Sequence, residues 1–345
     1  MKKRYIVLVS ILGVLLLFLG FVAGCFIEGK CNYKYENTNE YLPKWMSLID
    51  DSAKLNEIVI PGSHDSGSYN MLYVGETQKF SIDKQLKLGV RYFDIRIANN
   101  DGKYQIFHDI INGVEAEGIF VDIANFLKDN PSEVLLLDFQ HFKNGSEDKV
   151  IEFINTYLST YLLYKDNTKT ELEFIDSLTL GDVRGKCIIF FGSRSSTSQY
   201  WDLPYIFSRN DDECTRANVA LNSMYVRDYN IKPSASYIDE GIPVYINNIK
   251  EKITSSGHKG IFVLQGQLTD AKKIFGPWSK ERYHDENMQL YISDLKNTND
   301  FTYINVIMRD FINQEKATNI IRINYYKYNF KPECENTFMN AFKVS

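Results

Sequence analysis

Gly89-Val90-Arg91-Tyr92-Phe93-Asp94-Ile95-Arg96-Ile97 is the stretch whose reading says most about the fold. Taken as a strand, it sends alternate side chains to opposite faces. Phe93, Ile95 and Ile97 then share an apolar face suited to packing on helices, and Asp94 and Arg96 share the other. An acid and an arginine on an inward face are costly to bury unless paired or bound to a ligand. A guanidinium aimed into a barrel mouth can hold a phosphate through two parallel bonds; the plainer alternative is a structural ion pair. Working outward, further short apolar runs read as buried strands: Glu57–Ile60, Tyr104–Phe107, Val134–Phe139, Cys187–Phe191, Ile261–Leu264 and Tyr303–Met308. Helical patterns lie between some of them, over Ile82–Leu88, Phe120–Lys128 (stopped by Asn130-Pro131) and Glu147–Leu158. Strand-helix alternation of this kind predicts an α/β chain with a parallel sheet. Periodicity alone does not separate a closed barrel from an open, doubly wound sheet, although 345 residues suit one large barrel.

Composition narrows the class. The hydrophobic fraction of 44% and charged fraction of 24% are ordinary for a globular protein. A net charge of −5 implies no strongly basic face, so nucleic acid is not an expected partner, and attraction to a membrane should not depend on a polybasic patch. No protein partner is implied.

The N-terminus reads as a targeting segment. Met1-Lys2-Lys3-Arg4 is cationic, and Tyr5 to Gly24 carries no charge and includes Leu15-Leu16-Leu17. Three readings stay open: a cleaved signal peptide, an uncleaved anchor long enough to span a bilayer, or a lipoprotein signal. The last follows from Val22-Ala23-Gly24-Cys25, which resembles a bacterial lipobox and would make Cys25 the lipidated first residue. Each places the body outside the cytoplasm, on the outer face of the cell membrane or secreted, because the positive charge flanks the inner end. Residues 1–25 are thus a signal or anchor, residues 26–44 a polar stalk, and residues 45–345 a single domain. Of the five cysteines, Cys25, Cys31, Cys187, Cys214 and Cys334, no two have zinc-site spacing, and Cys187 sits in an apolar run.

Three further groups of residues have chemistry to offer. Pro61-Gly62-Ser63-His64-Asp65-Ser66-Gly67 follows the first strand; its consecutive Ser, His and Asp cannot bond in series as a hydrolase triad, and the plain alternative is a capped loop before a helix. Phe107-His108-Asp109 ends another strand, so His64 and His108 together are candidates for a base and an acid near neutral pH. Asp310 ends a late strand. In a barrel the last strand neighbours the first, and Asp310 then reaches His64 and holds its tautomer; the alternative is a helix N-cap or a surface acid.

Taken in order, these segments resemble the X domain of phosphatidylinositol-specific phospholipase C, over roughly residues 45–325. The loop around His64, the strand Arg91–Arg96 and Phe107-His108 look like three of that family's motifs, and Glu133–Phe142 and Trp201–Ile206 resemble signatures of its X-domain-only subgroup. The resemblance implies a distorted TIM-type (β/α) barrel. It implies His64 as general base, His108 as general acid, Asp310 orienting His64, Asp65 partnering His108, and Arg96 on the phosphate with Asp94 behind it. The expected substrate is phosphatidylinositol or a related inositol phospholipid at a membrane surface, cut to diacylglycerol and inositol 1,2-cyclic phosphate. Calcium-dependent relatives carry a carboxylate where Arg96 stands, and a guanidinium there repels a cation, so neither metal nor cofactor is expected. Secreted bacterial members carry a substrate-contacting lysine about where Gln140 and His141 stand, which leaves headgroup specificity open. His141 is either a polar contact or structural, and Asp138 is equally ambiguous. Gln140, Gln265, Gln267 and Arg194, at strand ends, are candidates to line the sugar pocket.

Other readings remain: a metal-dependent phosphodiesterase of the glycerophosphodiester type, disfavoured by Arg96; a catalytically silent module that binds phosphoinositide headgroups; and a zinc site from His64, His108 and His141, which lack helical spacing.

Overall fold

The computed structural model describes residues 9–20, 34–192, 198–210, 219–223, 234–268, 276–298 and 300–344. Ten strands lie among them: β1 (Ile60–Ser63), β2 (Tyr92–Asn100), β3 (Lys103–His108), β4 (Ile111–Glu115), β5 (Leu135–Lys143), β6 (Cys187–Phe191), β7 (Ile206–Asn210), β8 (Leu221–Ser223), β9 (Ile261–Gln265) and β10 (Val306–Arg309). Eight of them pair in parallel in the order β1-β10-β9-β8-β7-β6-β5-β2, and β2 returns to β1 through Gly62↔Tyr92 and Ser63↔Phe93. The sheet is therefore a closed eight-stranded parallel barrel with helices outside, the TIM-type fold expected.

Some expected strands shift. The first begins at Ile60, because Leu55–Glu57 is a 3-10 turn, and the last runs Val306–Arg309 rather than Tyr303–Met308. Tyr104–Phe107 belongs to β3, which is not in the ring: it turns back antiparallel on β2 and continues into β4. β7 and β8 were not foreseen. Of the helices, Ile82–Lys87 and Glu117–Asp129 form as expected, and Glu147–Phe153 continues as a wider π turn over Ile154–Leu158.

Strand parity sorts the core. Ile60, Tyr92, Leu136, Phe207, Val263, Val306 and Met308 fill the barrel interior in one cluster, which Leu42, Trp45 and Met46 join at the N-terminal end of the strands. The Trp45 indole donates to the Gly89 carbonyl at 3.0 Å just before β2. The opposite parity, Phe93, Ile95, Leu137 and Phe139, packs outward against Ile119, Phe120 and Ile123 of Glu117–Asp129. Phe120 stacks on Phe139 at 5.9 Å, and truncating a ring so fully buried costs about 3–5 kcal/mol. On the far side, Leu264 and Ile307 pack against Tyr245, Ile249 and Ile320. The division of β2 into an apolar outer face and an Asp94/Arg96 inner face is the one read from sequence.

Residues 9–20 are helical, with exposed apolar side chains from Val9 to Leu19. No helix among the described residues is long and apolar enough to cross a membrane. Cys25 and Arg194 lie outside the described residues.

Candidate active site

The interior parity of each strand leads into one polar cluster at the C-terminal mouth. Counting by twos, Ile60 and Gly62 lead to His64, Tyr92 to Asp94 and Arg96, and Val306 and Met308 to Asp310. Gly62 permits this where the ring is narrow: a Cβ there would meet Tyr92 Cδ1 at 2.9 Å and Val306 Cγ1 at 3.0 Å. Asp65 turns the chain with φ 42°, a conformation strained for a residue other than glycine. The strain is held by its N–H, which donates to Asp94 Oδ2 at 3.0 Å, and by Ser66 N–H on the Asp94 carbonyl at 2.8 Å.

β1 and β10 are neighbours, so His64 and Asp310, 246 residues apart, meet with Nδ1 and Oδ1 at 2.7 Å. An N–H donated to that carboxylate leaves the lone pair on Nε2, which faces Arg96 Nη2 at 3.2 Å. Arg96 is clamped by Asp94 through Nη2 at 2.7 Å and Nε at 3.1 Å, and by Asp65 Oδ1 at 2.6 Å. His108 arrives from the hairpin instead of the ring. Its Nδ1 donates to the Gly75 carbonyl at 2.7 Å, and its Nε2 lies 3.8 Å from Asp65 Oδ2, the oxygen 3.6 Å from His64 Nε2. Asp65 therefore stands between the two imidazoles. Its closest partner is Arg96, and it faces His108 as an ion pair at 3.8 Å, longer than a hydrogen bond.

Asp310 is buried and is not a helix N-cap: Asn313 caps Gln314–Tyr326 by accepting from Lys316 N–H. Burial would raise Asp94, but Arg96 and the hydrogen bonds it receives outweigh that and hold the carboxyl at about 2. Burial likewise disfavours charge on His64. Asp310 and Asp65 outweigh it, against Arg96, and the imidazole is pushed up to about 9. Burial also keeps Asp310 above the usual carboxylate range, against the pull of His64.

Thr77 and Gln78 escaped the sequence reading. Gln78, fully buried, donates to the carbonyls of His64 (2.8 Å) and Arg309 (3.0 Å) and accepts from Ile312 N–H (3.0 Å), locking the β1 and β10 ends together. Backbone-directed amides like these leave no periodic signal.

The candidate sugar-pocket residues divide. Gln140 is buried and donates to Asp138 Oδ2 at 3.2 Å; Asp138 also binds the Tyr92 hydroxyl and pairs with Arg209 Nε at 2.8 Å. Asp138 is thus part of an interior ion pair. Gln265 donates to Ser223 Oγ at 2.7 Å and accepts from Gln267 at 3.3 Å. His141 lies opposite Arg96 in the register of β5 and β2, beside a bulge at Ile95/Arg96. A groove of about 480 Å³ lined by Trp278, Glu281, Asp285 and Gln289 lies outside the barrel, away from these residues. No group of three or more His, Cys, Asp or Glu residues suited to holding a metal occurs among the described residues, so His64, His108 and His141 do not converge as a zinc site.

The family model for the phosphatidylinositol-specific phospholipase C X domain matches residues 52–191, which hold His64, Asp65, Asp94, Arg96 and His108. Residues 52–191 are thus similar to that X domain. A 1-phosphatidylinositol phosphodiesterase of Listeria monocytogenes is 31% identical over 203 residues, 55% of this chain and 62% of the relative. One of Staphylococcus aureus is 32% identical over 157 residues, 42% of this chain and 49% of the relative. The chain thus spans about half to three-fifths of the length of these curated relatives. Among solved structures, the phosphatidylinositol-specific phospholipase C from Listeria monocytogenes superimposes with a TM-score of 0.58 at 23% identity, covering 82% of this chain and 98% of its own. A Staphylococcus aureus enzyme reaches 0.59 at 19% identity, covering 83% and 98%. These likenesses bear on the X domain's barrel.

Proposed function

We propose that this protein is a phospholipase C-type phosphodiesterase that cleaves phosphatidylinositol, or a related inositol phospholipid, to diacylglycerol and inositol 1,2-cyclic phosphate. The observation that carries the reading is the convergence of two imidazoles and a guanidinium on Asp65: His64 Nε2 at 3.6 Å, His108 Nε2 at 3.8 Å and Arg96 Nε at 2.6 Å. Neutral His64 takes the proton of the inositol 2-hydroxyl on Nε2, and Asp310 stabilises the imidazolium that forms. The freed oxygen attacks phosphorus. Because the nucleophile belongs to the same headgroup, the step is intramolecular and its entropic barrier is low. Arg96 balances the charge growing on the phosphoryl oxygens. The bond to the diacylglycerol oxygen breaks, and protonated His108, whose Nδ1–H is held by the Gly75 carbonyl, delivers a proton from Nε2. Arg96 pairs with both Asp94 and Asp65, and a guanidinium held there repels a divalent cation, so the chemistry proceeds without one.

A lipid substrate suits the rim. Leu72 and Val74 are 61% and 51% exposed on the loop that carries Gly75, and Ile110, 93% exposed, tips the β3–β4 turn next to Asp109. Loop and hairpin touch: a Cβ on Gly75 would meet Ile111, and one on Gly113 would meet Met71. An apolar rim beside His108 favours docking on a membrane surface. The apolar N-terminal segment holds the domain to the outer face of the cell membrane, as a lipoprotein through Cys25 or as an uncleaved anchor.

The test is diacylglycerol release from phosphatidylinositol vesicles by the full chain in excess EDTA, beside His64→Ala and Arg96→Ala. Release by the wild type and large losses in both variants are expected. Release only after Ca²⁺ or Zn²⁺ is restored would make it a metal-dependent phosphodiesterase. Vesicle binding without turnover under any condition would make it a binding module.

A further inference from the structure

We infer that Lys316 is a positioning residue for Asp310, acting from outside the barrel through a buried ion network with Arg309, Glu281 and Asp285; this rests on the proposed role of Asp310 in orienting His64. At the end of β10 successive residues face opposite ways. Asp310 follows the inward parity of Val306 and Met308, and Arg309 follows the outward parity of Ile307. Arg309 Nη2 meets Glu281 Oε1 at 2.9 Å and Asp285 Oδ1 at 2.6 Å on the helix Gly276–Asp294. Lys316, on Gln314–Tyr326, spends all three ammonium protons there: on Glu281 Oε1 at 2.5 Å, Asp285 Oδ1 at 3.1 Å and the Asp310 carbonyl at 2.9 Å.

The arrangement is an expensive way to join two helices. Lys316 and Arg309 side chains are 0% exposed and Glu281 1%, with Asp285, 32% exposed, at the network's outer edge. Buried ion networks are often no more stabilising than apolar side chains of the same size, so stability alone is a weak account of this one. The geometry supplies another. Arg309 and the Asp310 carbonyl, on either side of the Asp310 side chain's attachment, are fixed by the same two carboxylates and one ammonium. Phe311, next in the chain, sits at φ 45° with its N–H on the Thr77 carbonyl at 2.7 Å. The backbone at Asp310 is therefore held on both sides, and the 2.7 Å bond to His64 inherits that rigidity. Burial would raise Glu281, but Lys316 and Arg309 outweigh it and hold it ionised, at about 2.

Lys316→Met in the full chain separates positioning from mere anchoring. The first readout is the NMR titration of the His64 imidazole, which faces Asp310, Asp65, Asp94 and Arg96. A loosened Asp310 lowers the His64 pKa by about one unit or more, whereas deleting a cation without moving Asp310 raises it. The second is diacylglycerol release: kcat should fall about 10- to 100-fold with KM within about twofold. In an Asp310→Asn background the same substitution should cost no more than about a further twofold. Lys316→Arg should recover most of the loss. An unchanged or raised His64 pKa, a lower Tm as the sole effect, or a full additional loss on top of Asp310→Asn would each overturn the inference. Lys316→Gln, which removes the same cation but keeps a donor, gives the same His64 readout with smaller downward shifts if Lys316→Met does not fold. If the wild type releases no diacylglycerol, the proposed activity fails while the titration still decides this inference.

Discussion

The two halves of the barrel are built differently. Residues 52–191, the part matched by the X-domain model, contain β1–β6, with β2 and β5 each nine residues long. The described part of the second half carries β7, β8, β9 and β10 of five, three, five and four residues. Five of the six proposed catalytic groups, His64, Asp65, Asp94, Arg96 and His108, belong to the first half, and they hold one another in ion pairs and backbone bonds. The second half supplies one, Asp310, and supplies it through closure of the ring at β1–β10. The difference suggests that the first half sets the charges that do the chemistry, while the second half sets the orientation of one base and the shape of the pocket. Substitutions of the charged groups should therefore cost most in rate in the first half, and in the second half should shift the pH response with a smaller loss of rate, or change substrate affinity.

The largest losses belong to the histidines. His64→Ala and His108→Ala should each lower kcat by about 10²–10⁴ without abolishing vesicle binding, measured by diacylglycerol release and sedimentation with vesicles. Arg96→Ala should cost about 10²–10³ in kcat. It should also lower the Tm, because Asp94 and Asp65 are left buried without their cation. A kcat loss in Arg96→Ala smaller than about tenfold would remove the guanidinium from the phosphate.

Much of this was legible in the sequence because one rule, side-chain alternation, governs both packing and site. The inner face of β2 could be read directly: Phe93, Ile95 and Ile97 are apolar and Asp94 and Arg96 are not. The same rule failed for β7, where Ile206-Phe207 gives way to Ser208-Arg209-Asn210. Arg209 points inward and pairs with Asp138, so the strand's inner face is not apolar. β8 is only Leu221-Asn222-Ser223, too short for any period to show. β3 was read as a strand of the ring because an apolar run does not say which way it pairs. Thr77, Gln78 and Lys316 act on backbone carbonyls, and a carbonyl partner has no identity in a sequence.

The seam between the halves gives a pH signature. His64 must be neutral to accept a proton, and its carboxylates push it up to about 9. The ascending limb of kcat/KM should accordingly lie well above the ordinary imidazole value of 6.5, and Asp310→Asn should move it down while lowering the maximal rate. Stability follows the same linkage. A folded-state pKa above the unfolded one means the protonated imidazole stabilises the fold fully below about 6.5, a contribution lost as the pH rises through about 9. The wild-type Tm should therefore fall across that window more steeply than that of Asp310→Asn; parallel curves would mean that Asp310 is not what raises His64.

The smallest expected effect lies deepest in the second half. Gln265 follows Val263 on the inward parity of β9, is 8% exposed, and is held by Ser223 and Gln267. Its amide is oriented but not charged, so as a sugar contact it contributes one ordinary hydrogen bond. Gln265→Ala should raise KM for phosphatidylinositol about 2- to 10-fold with kcat nearly unchanged. Gln140 behaves differently although it also follows the inward parity of its strand, two residues after Asp138. Its amide is engaged with Asp138 inside the barrel, so Gln140→Ala strips a partner from an interior ion pair and should lower the Tm more than it raises KM. Finding the reverse, a KM effect at Gln140 and none at Gln265, would shift recognition of the headgroup to the first half and break the division of labour between the two.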